Sequence, residues 1–378
     1  MIDAPGPWGT GPYTLVEGFS SLENEIGLIQ AEPLTCVWLD TGTPRSERVV
    51  LEANYDHWNS ERGPRLERVV FRNELPPAEA LELICGGEGE VDIVTEVSPA
   101  DAQRVIASEH AKLVRVDAMR VLAGIVNWAA EGAPLHDVRA RRALNLAVDR
   151  GRLIREVFGG YAAPLAGLTP HYAAGVPAGQ QPYQHDPDQA RDLLTTAGWP
   201  AGRELRLTAP AGLEAVARRL AEDFTASLGV EVDLTLIPAD QLLAAQHALV
   251  EKVLPLPFDV LVHAWIDLSS DAPPAFMHSQ FFSSTGAFRA GPPIPEFDEL
   301  LGRFAVATDQ RVVTELTTDL DRFAYDQALS VFLCAPQALY AVNRYVDFKA
   351  YRATFELADT EVDSAHWSRR DEEGPAQR

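Results

Sequence analysis

The strongest constraint on the fold is a regular alternation of strand-like and helix-like segments over residues 205–265. An apolar run over 205–209 predicts a strand, and apolar residues at helical spacing over 213–228 predict an amphipathic helix. The period then changes to two over 230–236, which predicts a strand with one solvated face. Strands that alternate with helices are typical of an α/β sheet covered by helices.

The regions that flank this segment follow related patterns. Residues 1–135 contain short apolar or β-branched runs separated by two short helix-like segments, which again predicts an α/β arrangement. Asp137 and Asp149 each precede an apolar pattern of helical period, so we expect them to cap consecutive helices. Residues 273–295 are rich in Ser, Gly, Pro and Phe and predict a long loop. The sequence therefore predicts two α/β blocks.

The composition excludes several classes of function. A formal net charge of −23 argues against a nucleic-acid partner, because phosphate binding needs a basic face. Cys36, Cys85 and Cys334 form no Cys-x-x-Cys pair, so neither a thiolate zinc site nor a disulfide framework is predicted. The sequence contains no GxSxG, HExxH or Walker motif, and we expect no metal, no cofactor and no catalytic residues. No apolar run approaches the ~18 residues of a membrane span, so we expect no membrane insertion.

Five short blocks carry a family resemblance. Residues 137–150 read DVRARRALNLAVDR, and this block is preceded by GTGPYTL at 9–15, NYDHW at 54–58 and GEVDI at 89–93. A fifth block begins with HDP at 185–187 and continues as a helix pattern that ends in Ala-Gly. Together and in this order, the blocks resemble those of the peptide-type (family 5) solute-binding proteins of ABC importers.

The resemblance implies an α/β, two-lobe periplasmic-binding-protein-like (type II) fold with a hinge. Roughly the first third of the family fold has no counterpart in this sequence, so we expect the first lobe to be truncated. We expect a partial lobe I over residues 1–133 and lobe II over 134–337. A return to lobe I over 338–367 and a disordered tail over 368–378 complete the expected organisation.

Two functions remain open at this point. The resemblance implies capture of a peptide-like or small polar or cationic solute in an interlobe cleft, for an ABC importer whose membrane component would be a partner. The alternative is a cytosolic offshoot of the same fold that acts as an enzyme or sequesters a ligand in a biosynthetic pathway. The lack of a catalytic constellation favours the first. The resemblance implies an extracytoplasmic location. The N-terminal residues contain no signal peptide, so the chain taken as complete would be cytoplasmic.

The resemblance also places the ligand loop. In the family this loop reads W-x-x-D-Y-x-D-P, and Trp265 matches its first position. Leu268 occupies the position of the Asp that often pairs with a peptide α-amino group, while Asp267 and Asp271 lie nearby. We expect Trp265 to stack on ligand, and the alternative is a packed core residue. We expect Asp267 or Asp271 to hold a cationic group of the ligand, and the alternative is that both are solvated.

Four further residues are candidates for ligand contact. Asn127 and Trp128 lie where the family has an Asn that faces the cleft, and the alternative is a hinge strand with a capped end. Tyr13 belongs to the GTGPY block, and the alternative is structural packing. His278 lies in the predicted long loop, where the alternative is a surface residue. His263, within an apolar strand pattern, is interpreted as a core residue.

Overall fold

The computed structural model describes residues 9–18, 29–30, 36–37, 46–118, 120–251, 258–266, 275–352 and 355–370. The chain divides into two compact units. Unit 1 comprises residues 1–29, 38–118 and 338–378, and unit 2 comprises residues 30–37 and 119–337. The lobe boundaries expected from the sequence stay predictions. The chain passes from unit 1 to unit 2 after residue 118, because the strand that begins at Arg120 pairs with strands of unit 2 on both sides.

The helices and strands follow one another in mixed order. Within the described residues, the strands are β1 (Tyr13–Glu17), β2 (Ile29–Gln30), β3 (Cys36–Val37), β4 (Arg48–Ala53), β5 (Arg68–Arg72), β6 (Ile93–Val94), β7 (Ala111–Asp117), β8 (Arg120–Val126), β9 (Ala162–Pro164), β10 (Leu205–Pro210), β11 (Val232–Ile237), β12 (Val260–Ile266), β13 (Ser330–Asn343), β14 (Val346–Ala350) and β15 (Phe355–Val362). The helices there are α1 (Pro77–Gly86), α2 (Ala102–Ala107), α3 (Val138–Ala147), α4 (Arg150–Phe158), α5 (Pro187–Thr196), α6 (Glu214–Leu228), α7 (Ala239–Val250), α8 (Phe276–Phe282), α9 (Pro295–Ala305), α10 (Gln310–Asp326) and α11 (Trp367–Arg370). None of these helices is long and apolar enough to cross a membrane.

Unit 1 is built from small sheets. Strands β1, β4 and β5 form an antiparallel sheet, and β14 and β15 form a hairpin. The GEVDI block acts as an anchor here, because Oδ1 of Asp92 accepts hydrogen bonds from His366 Nε2 at 3.0 Å, Trp367 Nε1 at 2.9 Å and Asn343 Nδ2 at 3.2 Å. One carboxylate thus joins the α11 region to the end of β13.

Unit 2 is built around one mixed sheet with the strand order β11-β10-β12-β8-β13. β10 is parallel to both β11 and β12, whereas β8 is antiparallel to β12 and β13. The register of β12 on β8 runs from Val260 opposite Val126 to Ile266 opposite Arg120. The C-terminal end of β12 therefore lies beside the N-terminal end of β8.

Helices cover both faces of the unit 2 sheet. Since successive side chains of a strand point to opposite faces, Val260 and Val262 pack into a core with α3, α5 and α6. Leu261 and Trp265 pack on the other face, with residues of α8, α9 and α10. This face of the sheet is the one that carries the candidate site.

The strongest sequence block is structural, as interpreted from the sequence. Asp137 caps α3 by accepting from the Arg139 N–H at 2.8 Å, and Asp149 caps α4 by accepting from the Arg152 N–H at 2.8 Å. Asn145 is fully buried and links α3 to β13, since its Nδ2 donates to the Ser330 carbonyl at 2.8 Å. The block therefore fastens two helices to a strand.

Three segments differ from the sequence-based prediction. The predicted loop over residues 273–295 contains the helix α8. The sequence pattern over 310–330 predicts one helix, but α10 ends at Asp326 and the 14-residue strand β13 begins at Ser330. Residues 368–370, assigned to a disordered tail, belong to α11, and residues 371–378 lie outside the described residues.

Candidate functional site

Trp265 lies at the C-terminal end of β12, with its side chain partly buried. Its ring centroid lies 5.7 Å from that of Phe276, 5.8 Å from that of Phe281 and 5.6 Å from that of Phe288. His263, two residues earlier on the same face, contacts the rings of Phe281 and Phe288. These five residues form what we call the aromatic cluster.

The indole nitrogen of Trp265 is the unusual feature of this cluster. Nε1 is buried and has no hydrogen-bond partner among the residues that the structure describes. A buried indole N–H normally has an acceptor, because an unpaired donor costs about 1–3 kcal/mol. An oxygen atom supplied by a bound molecule would satisfy this donor. The predicted ligand residues Asp267 and Asp271 fall in 267–274, outside the described residues.

His263 supplies an uncharged ring to the cluster. Burial lowers its pKa to about 4, so the imidazole is neutral near pH 7. Its ring contacts those of Trp265, Phe281 and Phe288, and the interpretation of this residue as part of the core stays a prediction. The cluster therefore presents aromatic faces without a positive charge from His263.

His278 requires a correction. It was expected in a loop, but it lies on α8, its side chain is 0% exposed, and its Nε2 is 2.6 Å from Oδ1 of Asp321. The segment is helical because apolar and aromatic residues recur at helical spacing in FMHSQFF. A side chain without exposed surface does not reach a solute in this structure, so His278 supports the cluster from inside.

Asn127 and Trp128 lie at the other end of the sheet from Trp265. Because β8 and β12 are antiparallel, Asn127 follows the end of β8 and is roughly 20 Å along the strand direction from the level of Trp265. Its Nδ2 donates to the Phe258 carbonyl at 3.0 Å, and its Oδ1 accepts from the Ala129 N–H at 3.1 Å. The structure thus places Asn127 at a capped strand end, apart from the aromatic cluster.

Trp128 is held between two elements of unit 2. The Arg141 guanidinium carbon lies 3.8 Å above its ring centroid, and its backbone N–H donates to the Ala290 carbonyl at 3.1 Å. A Cβ at Gly291 would lie only 2.8 Å from the Trp128 Cβ, so the packing is close. The position of Trp128 is therefore explained by its packing within unit 2.

Tyr13 belongs to unit 1. Its hydroxyl donates to the Leu357 carbonyl at 3.2 Å, and burial raises the pKa of the phenol. The Tyr13 side chain therefore links β1 to β15 within unit 1.

A surface pocket of about 260 Å³ lies at the opposite edge of the sheet from Trp265, near the N-terminal ends of β10 and β11. One charged side chain of its lining, Arg203, is already paired with Asp259 at 2.8 Å, and the Trp199 indole N–H donates to the Arg203 carbonyl at 3.1 Å. Because these polar groups are satisfied within the protein, we place the candidate site at Trp265 instead.

The sequence did not identify Phe276, Phe281 and Asp321 as residues of the site. The signal for Phe276 and Phe281 was the helical spacing just described. Asp319 and Asp321 lie in a helix pattern and on different faces, so they indicate no paired site, and the burial of Asp321 has no signature in the sequence. His278 and Asp321 are 43 residues apart and meet only through tertiary packing.

Comparison with known proteins identifies the class. The family model described as "Bacterial extracellular solute-binding proteins, family 5 Middle" matches residues 3–288. The chain belongs to this family, which confirms the resemblance of the five sequence blocks.

Among curated relatives, the chain is similar to "Probable di/tripeptide-binding protein 5" of Pseudomonas aeruginosa (strain UCBPP-PA14), with 27% identity over 296 residues, 74% of this chain and 52% of that protein. It is 26% identical over 242 residues to "Glutathione-binding protein GsiB" of Pectobacterium atrosepticum, covering 62% of this chain and 40% of that protein. The chain thus spans about half or less of the length of these relatives.

Solved structures share the fold. The substrate-binding protein CtaP of an ABC transporter from Listeria monocytogenes superposes with a TM-score of 0.73 at 20% identity, covering 94% of this chain and 67% of that one. DppA from Helicobacter pylori, in complex with the peptide STSA, gives a TM-score of 0.66 at 18% identity, covering 85% and 61%. These likenesses confirm the predicted fold class, the type II periplasmic-binding-protein fold.

Proposed function

We propose that this chain binds a small peptide-like solute and that unit 2 contacts the solute through the aromatic cluster. The observation that carries the proposal is the partly buried ring of Trp265 at the end of β12, whose indole N–H has no acceptor in the part of the chain that the structure describes. The family is one of extracellular solute-binding proteins, and the relatives are named for di/tripeptides and for glutathione. A peptide offers both an apolar surface for the rings and oxygen atoms for the donor.

The proposal extends to charge, partner and location. Asp267 and Asp271 lie two and six positions after Trp265 in the sequence, so a cationic group such as a peptide α-amino group is a suitable second feature of the solute. We propose the membrane component of an ABC importer as the protein partner and an extracytoplasmic location, as the family description suggests. The sequence-based lobes over 1–133 with 338–367 and over 134–337 are part of this proposal.

Thermal unfolding in the presence of di-, tri- and tetrapeptides and of glutathione tests the proposal. A molecule that binds the folded protein raises the unfolding midpoint by mass action. We expect at least one of these solutes to do so, and isothermal titration calorimetry then gives the affinity. If no member of the panel shifts the midpoint or releases heat, capture of peptide-like solutes is excluded for this chain.

Replacing Trp265 by Ala tests the site. We expect the affinity to fall by about 1–3 kcal/mol, because an aromatic residue that packs on ligand contributes on this scale. Trp58→Ala is the matched control, because this substitution also removes a Trp side chain, but one that lies in unit 1 and is 76% exposed. Equal affinities of the Trp265→Ala and Trp58→Ala proteins would place the solute elsewhere.

The enzyme alternative is tested by a separate measurement. Mass spectrometry of the solute after incubation distinguishes a binding protein, which returns the solute unchanged, from an enzyme. We propose binding without turnover, and a chemically altered solute would reverse that choice.

A further inference from the structure

One buried carboxylate joins three segments of unit 2 behind the aromatic cluster. Asp321 on α10 is 1% exposed, and its Oδ1 lies 2.6 Å from Nε2 of the fully buried His278 on α8. The same oxygen accepts from the backbone N–H groups of Leu168 at 3.1 Å and Thr169 at 3.4 Å. Helix α8, helix α10 and the chain at Leu168 therefore share a single acceptor atom.

The chain around this acceptor allows little movement. A Cβ at Gly167 would lie 2.7 Å from Asp321 Oδ1 and 3.1 Å from Oδ2, so the carboxylate fits only against a glycine. Burying a carboxylate is costly unless its oxygens are hydrogen-bonded, and among the described residues only Oδ1 has partners while the buried Oδ2 has none, so the three donors to Oδ1 are strongly specified in this position. The position of Asp321 thus fixes the position of His278.

Helix α8 needs such an anchor. It has seven residues and no side chain that caps its N-terminus, and a helix of this length is not stable without tertiary contacts. The same helix carries Phe276 and Phe281, whose rings contact Trp265. A shift of α8 would therefore move the rings that support Trp265.

We propose that the His278–Asp321 pair is a positioning device for solute binding: it holds α8 so that Phe276 and Phe281 keep the Trp265 ring in its binding orientation. This inference rests on the proposed function. Preorganised rings lower the entropic cost of binding, because fewer side chains have to be ordered when the solute arrives. Neither His278 nor Asp321 contacts the solute in this proposal.

Two variants disturb the pair in different ways. Asp321→Asn keeps the shape of the side chain but weakens its acceptor, and Gly167→Ala pushes the carboxylate away from His278 without removing a polar group. Asp223→Asn is the matched control, because Asp223 is also a buried carboxylate on a helix. Its Oδ1 accepts from Arg219 Nη2 at 2.7 Å and its Oδ2 from the Asp149 N–H at 3.1 Å, so its partners lie on α6 and just before α4.

The first readout needs no solute. Acrylamide quenching of tryptophan fluorescence is measured for each variant with and without an added Trp265→Phe substitution, and the difference isolates Trp265. We expect Trp265 to become more accessible to acrylamide in Asp321→Asn and in Gly167→Ala, and to remain as in the parent protein in Asp223→Asn. Unchanged quenching in both test variants, or the same increase in the control, would overturn the proposal.

The second readout uses the peptide that binds the parent protein. We expect both test variants to lose about tenfold in affinity, while the control loses less, at a temperature where all are folded. An undiminished affinity in both test variants would overturn the proposal as well. If the parent protein binds no peptide, the proposed function fails on its own, and the quenching difference still decides whether the pair positions Trp265.

Discussion

The guanidinium of Arg150 donates a hydrogen bond from Nε to the carbonyl oxygen of Phe332, 2.7 Å away. Its Nη1 donates to the carbonyls of Asn145 at 2.9 Å and Tyr183 at 3.0 Å, and its Nη2 to the Asn145 side-chain oxygen at 3.0 Å. Burial lowers the pKa of this arginine to about 10. The last residue of the DVRARRALNLAVDR block therefore joins α4 to β13 through an array of carbonyl oxygens.

Replacing Arg150 by Met is expected to destabilise the protein strongly. Several buried carbonyl oxygens would lose their donor at once, which we expect to lower the free energy of unfolding by about 3 kcal/mol or more. The midpoint of urea unfolding measures this. Arg152→Met is the control, because that side chain is 45% exposed and pairs with Glu156 at the surface, so we expect little change. Equal effects of the two substitutions would contradict the role assigned to Arg150.

His263 predicts a pH dependence of stability. Its folded pKa of about 4 lies below its ordinary value of 6.5, so the unfolded chain binds more protons between these values. Stability from this residue is therefore present above pH 6.5 and is lost as the pH falls towards 4. Between pH 7 and pH 5 we expect a loss of about 2 kcal/mol in the free energy of unfolding.

The His263→Phe protein isolates this contribution. It keeps an aromatic ring in the cluster but cannot titrate, so its urea midpoint is expected to change less between pH 7 and pH 5 than that of the parent protein. Identical pH dependence in the two proteins would show that His263 is not the titrating group.

Gly124 is required by the packing of the unit 2 sheet. A Cβ there would lie 2.8 Å from Val260 Cγ1 and 3.1 Å from Val331 Cβ, on strands to either side of β8. We expect Gly124→Ala to lower the free energy of unfolding by about 1–3 kcal/mol, as overpacked cores do. Gly212→Ala is the control, since a Cβ at Gly212 meets nothing within 4 Å. Comparable stability of the two variants would indicate that the sheet adapts.

Asn127 tests the sequence-based list of ligand residues. Because Nδ2 donates to the Phe258 carbonyl before β12 and Oδ1 accepts from the Ala129 N–H in the turn after β8, we expect Asn127→Ala to cost about 1–2 kcal/mol in stability and to leave solute affinity unchanged. Calorimetric titration with the solute found for the parent protein checks the second point. A large loss of affinity at full folding would restore Asn127 to the site.

Local signals predicted the elements whose ends are set by neighbouring residues. Asp186 caps α5 by accepting from the Gln189 N–H at 3.0 Å, and Gly159 ends α4 with a φ of 56°. The two-residue period of β11 is matched by its alternating burial. These features depend on side chains within a few positions of each other, which is why a single sequence reveals them.

Two elements could not be predicted in this way. The first half of β13 is buried on both faces, so its apolar run has no two-residue period and resembles the end of a helix equally well. Helix α8 is short and depends on Asp321, which lies 43 residues beyond His278. For the site, the family block indicated Trp265, whereas the rings and the carboxylate that support it come together only in the folded chain.

The strand β13 also sets the order in which the protein can be assembled during synthesis. Its first part pairs with β8 of unit 2, and its last part pairs with β6 of unit 1. A ribosome delivers this strand after α1 to α10 and β1 to β12 have emerged. Neither sheet can be completed until then, so we expect the nascent chain to expose unpaired strand edges for most of its translation and to depend on chaperones over that interval.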